Sequence, residues 1–322
     1  MSASADHIKA LVKSHAAGDD EQFYSVTLQV AAGAAQRGHR KLALELKELV
    51  ESARRSPRRA SVTAIAKPRG ELGELVTATF PEVRVRELVV SPAVHASIEQ
   101  VIAEQRQRQR LIARGFHPAF RILLEGPPGT GKTMTASVVA HELDLPLLTI
   151  QLDSIFSKFL GETGSKLRTL FEAAAEQRAI YFFDEFDALA ANRVGNDVGE
   201  ARRILNSFLV FLEQASPQSI FIAATNHAAI LDPAVFRRFD TTISYGLPDH
   251  TQARAVIKAR LGPLGKGLRW PPVDAEVDGL SHAELVKAAE SAAKAALMTG
   301  HAVVDTATLV EAVRARRGTE GA

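Results

Sequence analysis

Ile122-Leu-Leu-Glu-Gly126-Pro127-Pro128-Gly129-Thr130-Gly131-Lys132-Thr133-Met134 is the stretch from which the rest of the chain is read. From Gly126 to Thr133 it fits G-x-x-x-x-G-K-[ST] at every position, behind an apolar run and ahead of a helix-compatible run from Met134 to Glu142. Glycines admit backbone conformations closed to other residues, so successive N–H groups can converge on phosphate oxygens at a helix N-terminus. Lys132 would reach the β and γ phosphates, and the Thr133 hydroxyl a Mg²⁺ ion. The loop residues and Met134 are therefore expected to bind a nucleotide. A glycine-rich turn that matched by chance would lack the strand before it and the helix after it.

Global properties permit an enzyme of this kind and say little more. The 322 residues are 46% hydrophobic and 24% charged, an ordinary globular composition. With 39 basic against 37 acidic residues, no net charge draws the chain to nucleic acid or to a membrane surface. Zero cysteines exclude disulfides, cysteine zinc sites and a thiol nucleophile. Asp6 and Lys9 interrupt residues 1–13, which do not read as a signal peptide, and no apolar run is long enough to span a bilayer. A cytoplasmic location is the expectation.

Residues 1–55 read as a small helical region that docks a substrate or partner. Three stripes at helical spacing, Ile8-Leu11-Val12, Phe23-Val26-Thr27-Val30-Ala31-Ala34 and Leu42-Leu46-Leu49-Val50, are expected as its core. Residues 56–87 read as a linker, with the basic run Arg54 to Arg59 at its start taken as a solvated face. The run Arg106-Gln-Arg-Gln-Arg110 gets the same reading. Over 88–250 short apolar runs alternate with helical patterns, the signature of a parallel α/β sheet covered by helices. The expected strands are Ile122 to Leu124, Leu147 to Gln151, Ile180 to Phe183, Ile220 to Ala224 and Thr241 to Tyr245. Residues 251–322 carry helical stripes such as Leu285, Ala288, Ala289, Ala292 and Ala296, and read as a small helical domain.

A phosphate loop alone does not separate kinases, GTPases, helicases and motor ATPases. Ile180-Tyr-Phe-Phe-Asp184-Glu185-Phe-Asp187 narrows the choice, because an apolar strand ending in adjacent carboxylates puts Asp184 where it can hold Mg²⁺ through water. Glu185 then faces the γ phosphate and can deprotonate or orient the attacking water. Phosphoryl transfer needs this division, since the metal neutralises charge while a separate base positions the nucleophile. No Asn-Lys-x-Asp guanine motif is present, and the strand-free remainder offers no second helicase motor domain. Ala223-Ala-Thr-Asn226 ends a further apolar strand with an amide able to position water. Leu231-Asp-Pro-Ala-Val-Phe-Arg237-Arg238-Phe-Asp240 then supplies two arginines able to stabilise charge on a transferring phosphoryl group. Proteolytic motifs are missing: His141-Glu142 is followed by Leu145 where a zinc protease needs histidine, and there is no Gly-x-Ser-x-Gly elbow.

These four blocks, in this order, resemble the AAA clade of AAA+ ATPases, with a katanin- and spastin-like motif set, over roughly 88–317. The resemblance implies a P-loop NTPase parallel sheet covered by helices, a C-terminal helical lid over 251–322, and a homo-hexamer with ATP and Mg²⁺ bound between subunits. It gives Asn226 the sensor 1 position, and Arg237 and Arg238 the arginine fingers that act on the neighbour's ATP. The Pro-Gly that often separates the two arginines is missing here, which leaves open which one touches the γ phosphate. Gly279-Leu-Ser-His-Ala283-Glu-Leu285 is similar to the sensor 2 region, where this clade carries a small residue. That likeness puts Gly279 and Ala283 near the adenosine and argues against clamp-loader and replication-initiator relatives. Ser281 reads equally as a plain helix start.

Ser157-Lys158-Phe159-Leu160-Gly161-Glu162-Thr163, ahead of a helix expected at Ser165 to Ala175, is similar to the first pore loop of protein-translocating AAA rings. In a ring, Phe159 from successive subunits would grip an extended polypeptide through a flat apolar surface that tolerates many sequences. In a monomer it would pack in the core instead. Residues 192–199, with Arg193, Gly195, Asn196 and Asp197, match a second pore-loop region. The expected function is an ATP-hydrolysing ring that remodels, unfolds or threads a protein substrate recruited by the N-terminal helices. The alternatives are a nucleotide-switched assembly or sensing ATPase that regulates a partner, such as a separately encoded protease, and a DNA-associated loader. Ala283 and the near-neutral charge speak against the last.

Overall fold

The computed structural model describes residues 9, 20–36, 38, 40–55, 71–155, 160–189 and 198–317. Contacts divide the chain into a unit at 1–65 and another at 66–322. In the first unit, α1 (Asp20–Gln36) and α2 (Arg40–Arg55) form a helical hairpin. Gly38 makes the turn at φ +88°, and its N–H donates to Ala35 O at 3.1 Å. The stripe Leu42-Leu46-Leu49-Val50 departs from the core expected of it: Val50 is buried, whereas Leu42 and Leu49 are 49% and 65% exposed. Among the described residues the facing helix buries only Val26, Ala31 and Ala34, a strip too narrow to cover the whole stripe. The Ile8-Leu11-Val12 stripe and residues 56–59 of the basic run lie outside the described residues.

The second unit is built on six strands, β1 (Val76–Thr79), β2 (Arg121–Glu125), β3 (Leu147–Ile150), β4 (Ile180–Phe183), β5 (Ile220–Thr225) and β6 (Thr241–Ser244). Their order is β1-β3-β4-β5-β2-β6, parallel throughout except for β1, which runs antiparallel to β3. This is the helix-covered parallel α/β sheet that the alternating pattern predicts. β1 corrects the reading of 56–87 as linker throughout. Within 71–79, Leu75 and Val76 are buried while the next three strand residues carry no apolar run, so the strand is held by its main-chain pairing to the edge of β3.

Helices cover both faces, and strand alternation sorts the side chains between them. Tyr181 and Phe183 of β4 face a core completed by Leu167, Leu170 and Phe171 of α5 (Leu160–Glu176) and by Leu205, Phe208 and Leu212 of α6 (Val198–Gln214). Ile180 and Phe182 face the other core, which contains Ile98 and Val101 of α3 (Pro92–Arg106) and Ala136, Val138 and Val139 of α4 (Lys132–Glu142). A third core belongs to α7 (His250–Leu261), α8 (His282–Met298) and α9 (Thr306–Arg317), with Ile257, Leu285, Ala288, Ala289 and Leu309 fully buried.

The arginines at 106 to 110 are more engaged than a solvated run. The helix breaks at Gln107, Arg106 pairs with Glu142 at 2.8 Å, and Arg108 donates to Gln218 at 3.1 Å. Among the described residues no helix is long and apolar enough to cross a membrane.

Candidate nucleotide site

Parallel pairing with β5 between β2 and β4 brings the C-terminal ends of these three strands to one edge, where ligands of open α/β sheets gather. Gly126 leaves β2 at φ +141°, and its N–H donates to Thr225 O at 3.3 Å. A Cβ here would stand 2.3 Å from Tyr245 O, so the chain beyond β6 excludes every side chain from this position. Tyr245 is itself pinned, its hydroxyl 2.6 Å from Thr135 Oγ1, and burial pushes its pKa up to about 12. Thr130 Oγ1 donates to Pro127 O at 2.8 Å and closes the turn. Gly131, at φ +102°, brings no side-chain cap to α4, so the first amides of that helix are left to an anion.

Lys132 is buried, and its Nζ donates to Gly126 O at 2.7 Å and Pro127 O at 2.8 Å. Burial lowers its pKa, while the charges of Asp184 and Asp187 oppose that shift. An ammonium held by the carbonyls of its own loop can exchange them for phosphate oxygens. The Thr133 hydroxyl donates to Asp184 Oδ2 at 2.9 Å, which brings together the two residues expected to hold Mg²⁺. A hydroxyl and one carboxylate, completed by phosphate oxygens and water, is a donor set that suits this ion.

The other oxygen of Asp184 accepts the Glu185 N–H at 3.0 Å. Glu185 adopts φ +50°, a left-handed conformation that costs a non-glycine residue about 1–3 kcal/mol, and its side chain is exposed. Asp187 received no role from the sequence. Its Oδ1 accepts from Thr225 Oγ1 at 2.9 Å and from the Asn226 N–H at 3.1 Å. Glu185 is thus strung between two anchored carboxylates, one tied to the phosphate loop and the other to the tip of β5 that carries Asn226. The only trace of this in the sequence is the place of Asp187 at the end of the carboxylate block.

Arg237 and Arg238 do not join this cluster. They precede β6, whose first residue Thr241 pairs with Ile122, whereas the loop leaves β2 at Gly126. Four residues of strand separate the two levels, roughly 13 Å at about 3.3 Å per residue. Arg238 forms an ion pair with Glu213 of α6, while Arg237 is exposed and has no partner among the described residues. The rest of the block is structural: Phe239 is buried, and Asp240 accepts from the Arg121 N–H at 2.9 Å and the Arg121 guanidinium at 2.6 Å.

The helical lid rests on the phosphate loop. Ala283 N–H donates to Gly129 O at 3.0 Å, and a Cβ on Gly129 would lie 2.7 Å from Ser281 Oγ. Ser281 starts α8 through a capping box with Glu284. Gly279 turns at φ +88° with open space around its Cβ position, so conformation rather than contact calls for glycine there. Lys158, Phe159 and residues 192–197 lie outside the described residues. Leu160, Gly161 and Glu162 form the first turn of α5 rather than a free loop, which moves that helix start forward from Ser165. Burial of Thr163, Leu167 and Leu170 along its inner face extends the helix through two glycines that local propensity would leave as loop.

Residues 122–247 match the family described as ATPase family associated with various cellular activities (AAA). The AAA family ATPase y4kL of Sinorhizobium fredii is 32% identical over 302 residues, covering 92% of this chain and 90% of that protein. ATP-dependent zinc metalloprotease FtsH 4 of Sphaerobacter thermophilus is 33% identical over 72% of this chain, which spans 37% of that protein's length. The crystal structure of the FIGL-1 AAA domain superimposes with a TM-score of 0.62, covering 79% of this chain and 92% of that chain; at 22% identity the likeness concerns the fold. Similarity that runs through nearly the whole of this chain and of y4kL makes this protein a member of the AAA family of ATPases.

Proposed function

We propose that this chain is one subunit of an ATP-driven ring, a homo-hexamer, that remodels or threads a protein substrate. Lys132 and the first amides of α4 bind the β and γ phosphates, and Thr133 and Asp184 would hold Mg²⁺, which when bound neutralises phosphate charge. Glu185 takes the role of base toward water, and Asn226, held in place by Asp187, fixes that water from the β5 side. Arg237 acts on the ATP of a neighbouring subunit.

The observation that carries the shared site is the separation of Arg237 from the phosphate loop of its own chain, with the side chain presented outward. Equal mixing of inactive Lys132→Ala and Arg237→Ala proteins tests it: ATPase activity should reappear in mixed rings, and continued inactivity would sink the shared site. Threading rests on the likeness of Lys158-Phe159-Leu160-Gly161 to a pore loop. Phe159→Ala should abolish ATP-dependent unfolding of a tagged substrate while ATP turnover continues. Unfolding that persists would leave a nucleotide-timed assembly switch in place of a motor. The FtsH relatives are named ATP-dependent zinc metalloproteases, so a separately encoded protease is the partner class to assay beside the substrate.

A further inference from the structure

Residues 105–124 hold five arginines and no acidic residue. Two of the five are neutralised within the fold, Arg106 by Glu142 and Arg121 by Asp240. Arg108, Arg110 and Arg114 have no carboxylate partner among the described residues. Arg108 donates to neutral acceptors, Pro217 O at 3.4 Å and Gln218 Oε1 at 3.1 Å. Near it stands a further like charge, Arg178, which donates to Gln105 Oε1 at 3.3 Å and keeps its Nε shut off from solvent without a partner. Burial first, and the Arg108 charge second, hold Arg178 below the ordinary guanidinium value. The same stretch displays apolar side chains. Beyond the short helix Arg108–Ile112, Gly115 turns at φ +80° and the Phe116 N–H donates to Leu111 O at 3.0 Å, so the main chain fixes where Phe116 stands. Ile112 is 38% exposed and Phe116 65%. Arg178 and Gln218 each stand two residues ahead of a strand, β4 and β5, and Phe116 stands ahead of β2, so the cluster lies at the end of the sheet opposite the phosphate loop.

Single exposed apolar residues need no explanation, but an aromatic and an aliphatic side chain set among unpaired arginines mark a surface built for contact. Like charges brought together in a half-buried place repel, and an anion between them relieves the repulsion. Guanidinium forks already held on neutral acceptors are ordered for bidentate pairing with a carboxylate. We infer that this end of the sheet docks an acidic segment of a protein partner. Its carboxylates pair with Arg108, Arg110 and Arg114, and an apolar side chain of the segment packs on Ile112 and Phe116. Ile112 speaks for a peptide over a nucleic acid, because bases stack on aromatic and guanidinium planes and gain little from an aliphatic side chain. The surface is separate from the nucleotide site, so the inference stands apart from the ring and the shared arginine.

Fluorescence anisotropy of the full chain with a short labelled peptide of glutamate and leucine tests it. The comparison probes are the same peptide with lysine for glutamate, a glutamate peptide without leucine, a thymidine oligonucleotide and phosphatidylserine vesicles. The glutamate and leucine peptide should bind tightest of these. Arg110→Glu together with Arg114→Glu should weaken it about tenfold and strengthen binding of the lysine peptide. Phe116→Ala should weaken it about fivefold and leave the leucine-free peptide unchanged. These side chains are exposed and distant from the phosphate loop, so ATP turnover of each variant should stay within about twofold, which also reports that it folds. Absence of peptide binding overturns the proposal. An unaffected Phe116→Ala, or equal binding of the leucine-free peptide, overturns it in favour of unspecific charge attraction. Tighter binding of the oligonucleotide or the vesicles overturns it in favour of a nucleic acid or a membrane surface. Loss of self-association in Phe116→Ala, read by sedimentation velocity, overturns it in favour of a contact between copies of this chain.

Discussion

The two ends of the parallel sheet are built on opposite principles. At the C-terminal ends of β2, β4 and β5 the polar groups satisfy one another within the chain: Lys132 on loop carbonyls, Thr133 on Asp184, and Asp187 on Thr225 and Asn226. At the N-terminal end of β6 all but one of the groups are locked. Arg121 binds Asp240, Arg238 binds Glu213, and Arg237 is presented outward with no partner among the described residues. Among the described residues the site holds no arginine while this edge displays one; in the ring proposed above, closed point-group symmetry would let identical subunits satisfy both at once.

The largest test of this comparison is Arg237→Ala against Arg238→Ala. Loss of an arginine acting across subunits should lower turnover by about 10³–10⁵ with nucleotide affinity retained. Arg238→Ala breaks an exposed ion pair and should cost far less, since such pairs contribute about 1 kcal/mol or less. Steady-state kinetics that rank the two in reverse order would exchange their roles. Next in size, Glu185→Gln should retain ATP and cut turnover by about 10²–10⁴, the usual contribution of a general base; binding and single-turnover assays separate the two effects.

Asp187→Ala should follow, because it leaves the buried Thr225 hydroxyl and the Asn226 amide without their acceptor. A stability loss of about 1–3 kcal/mol is expected in chemical denaturation, with a fall in kcat greater than any rise in KM. If kcat is untouched, the carboxylate only braces the strand. The smallest effect belongs to the lid, where the hydrogen bond from Arg254 holds Asp274 below the usual carboxylate range. A depressed folded pKa gives stability that is present above about pH 4 and is lost as pH falls through the folded value. Thermal unfolding between about pH 6 and about pH 3 should show this acid-side loss in wild type and a flatter profile in Asp274→Asn.

Elements whose signal is local were legible in the chain. The strand-loop-helix at 122–142 and the apolar β4 ending in Asp184-Glu185 carry their pattern within a dozen residues, and the parallel α/β architecture follows from repeating it. β1 was not legible, because an edge strand held by main-chain pairing needs no apolar run of its own. Leu42 and Leu49 show the converse: periodicity marks a face as apolar, and only the width of the partner decides whether that face is covered. In the site, Asp187 gave no signal, since neither its type nor its spacing names the groups it meets.

Which chemistry the chain can perform follows from the order of its residues, because phosphate binding demands glycines, a lysine, a hydroxyl and carboxylates in an order that few other folds require. Tertiary structure decided who meets whom. Placing β5 between β2 and β4 joined Asp187 to Asn226, and the register of β6 on β2 set Arg237 at the far end of the sheet from its own loop. Folding the lid onto Gly129 brought His282 beside Val89. Such pairings join residues up to two hundred positions apart, and strand order and register that no local pattern encodes bring them together.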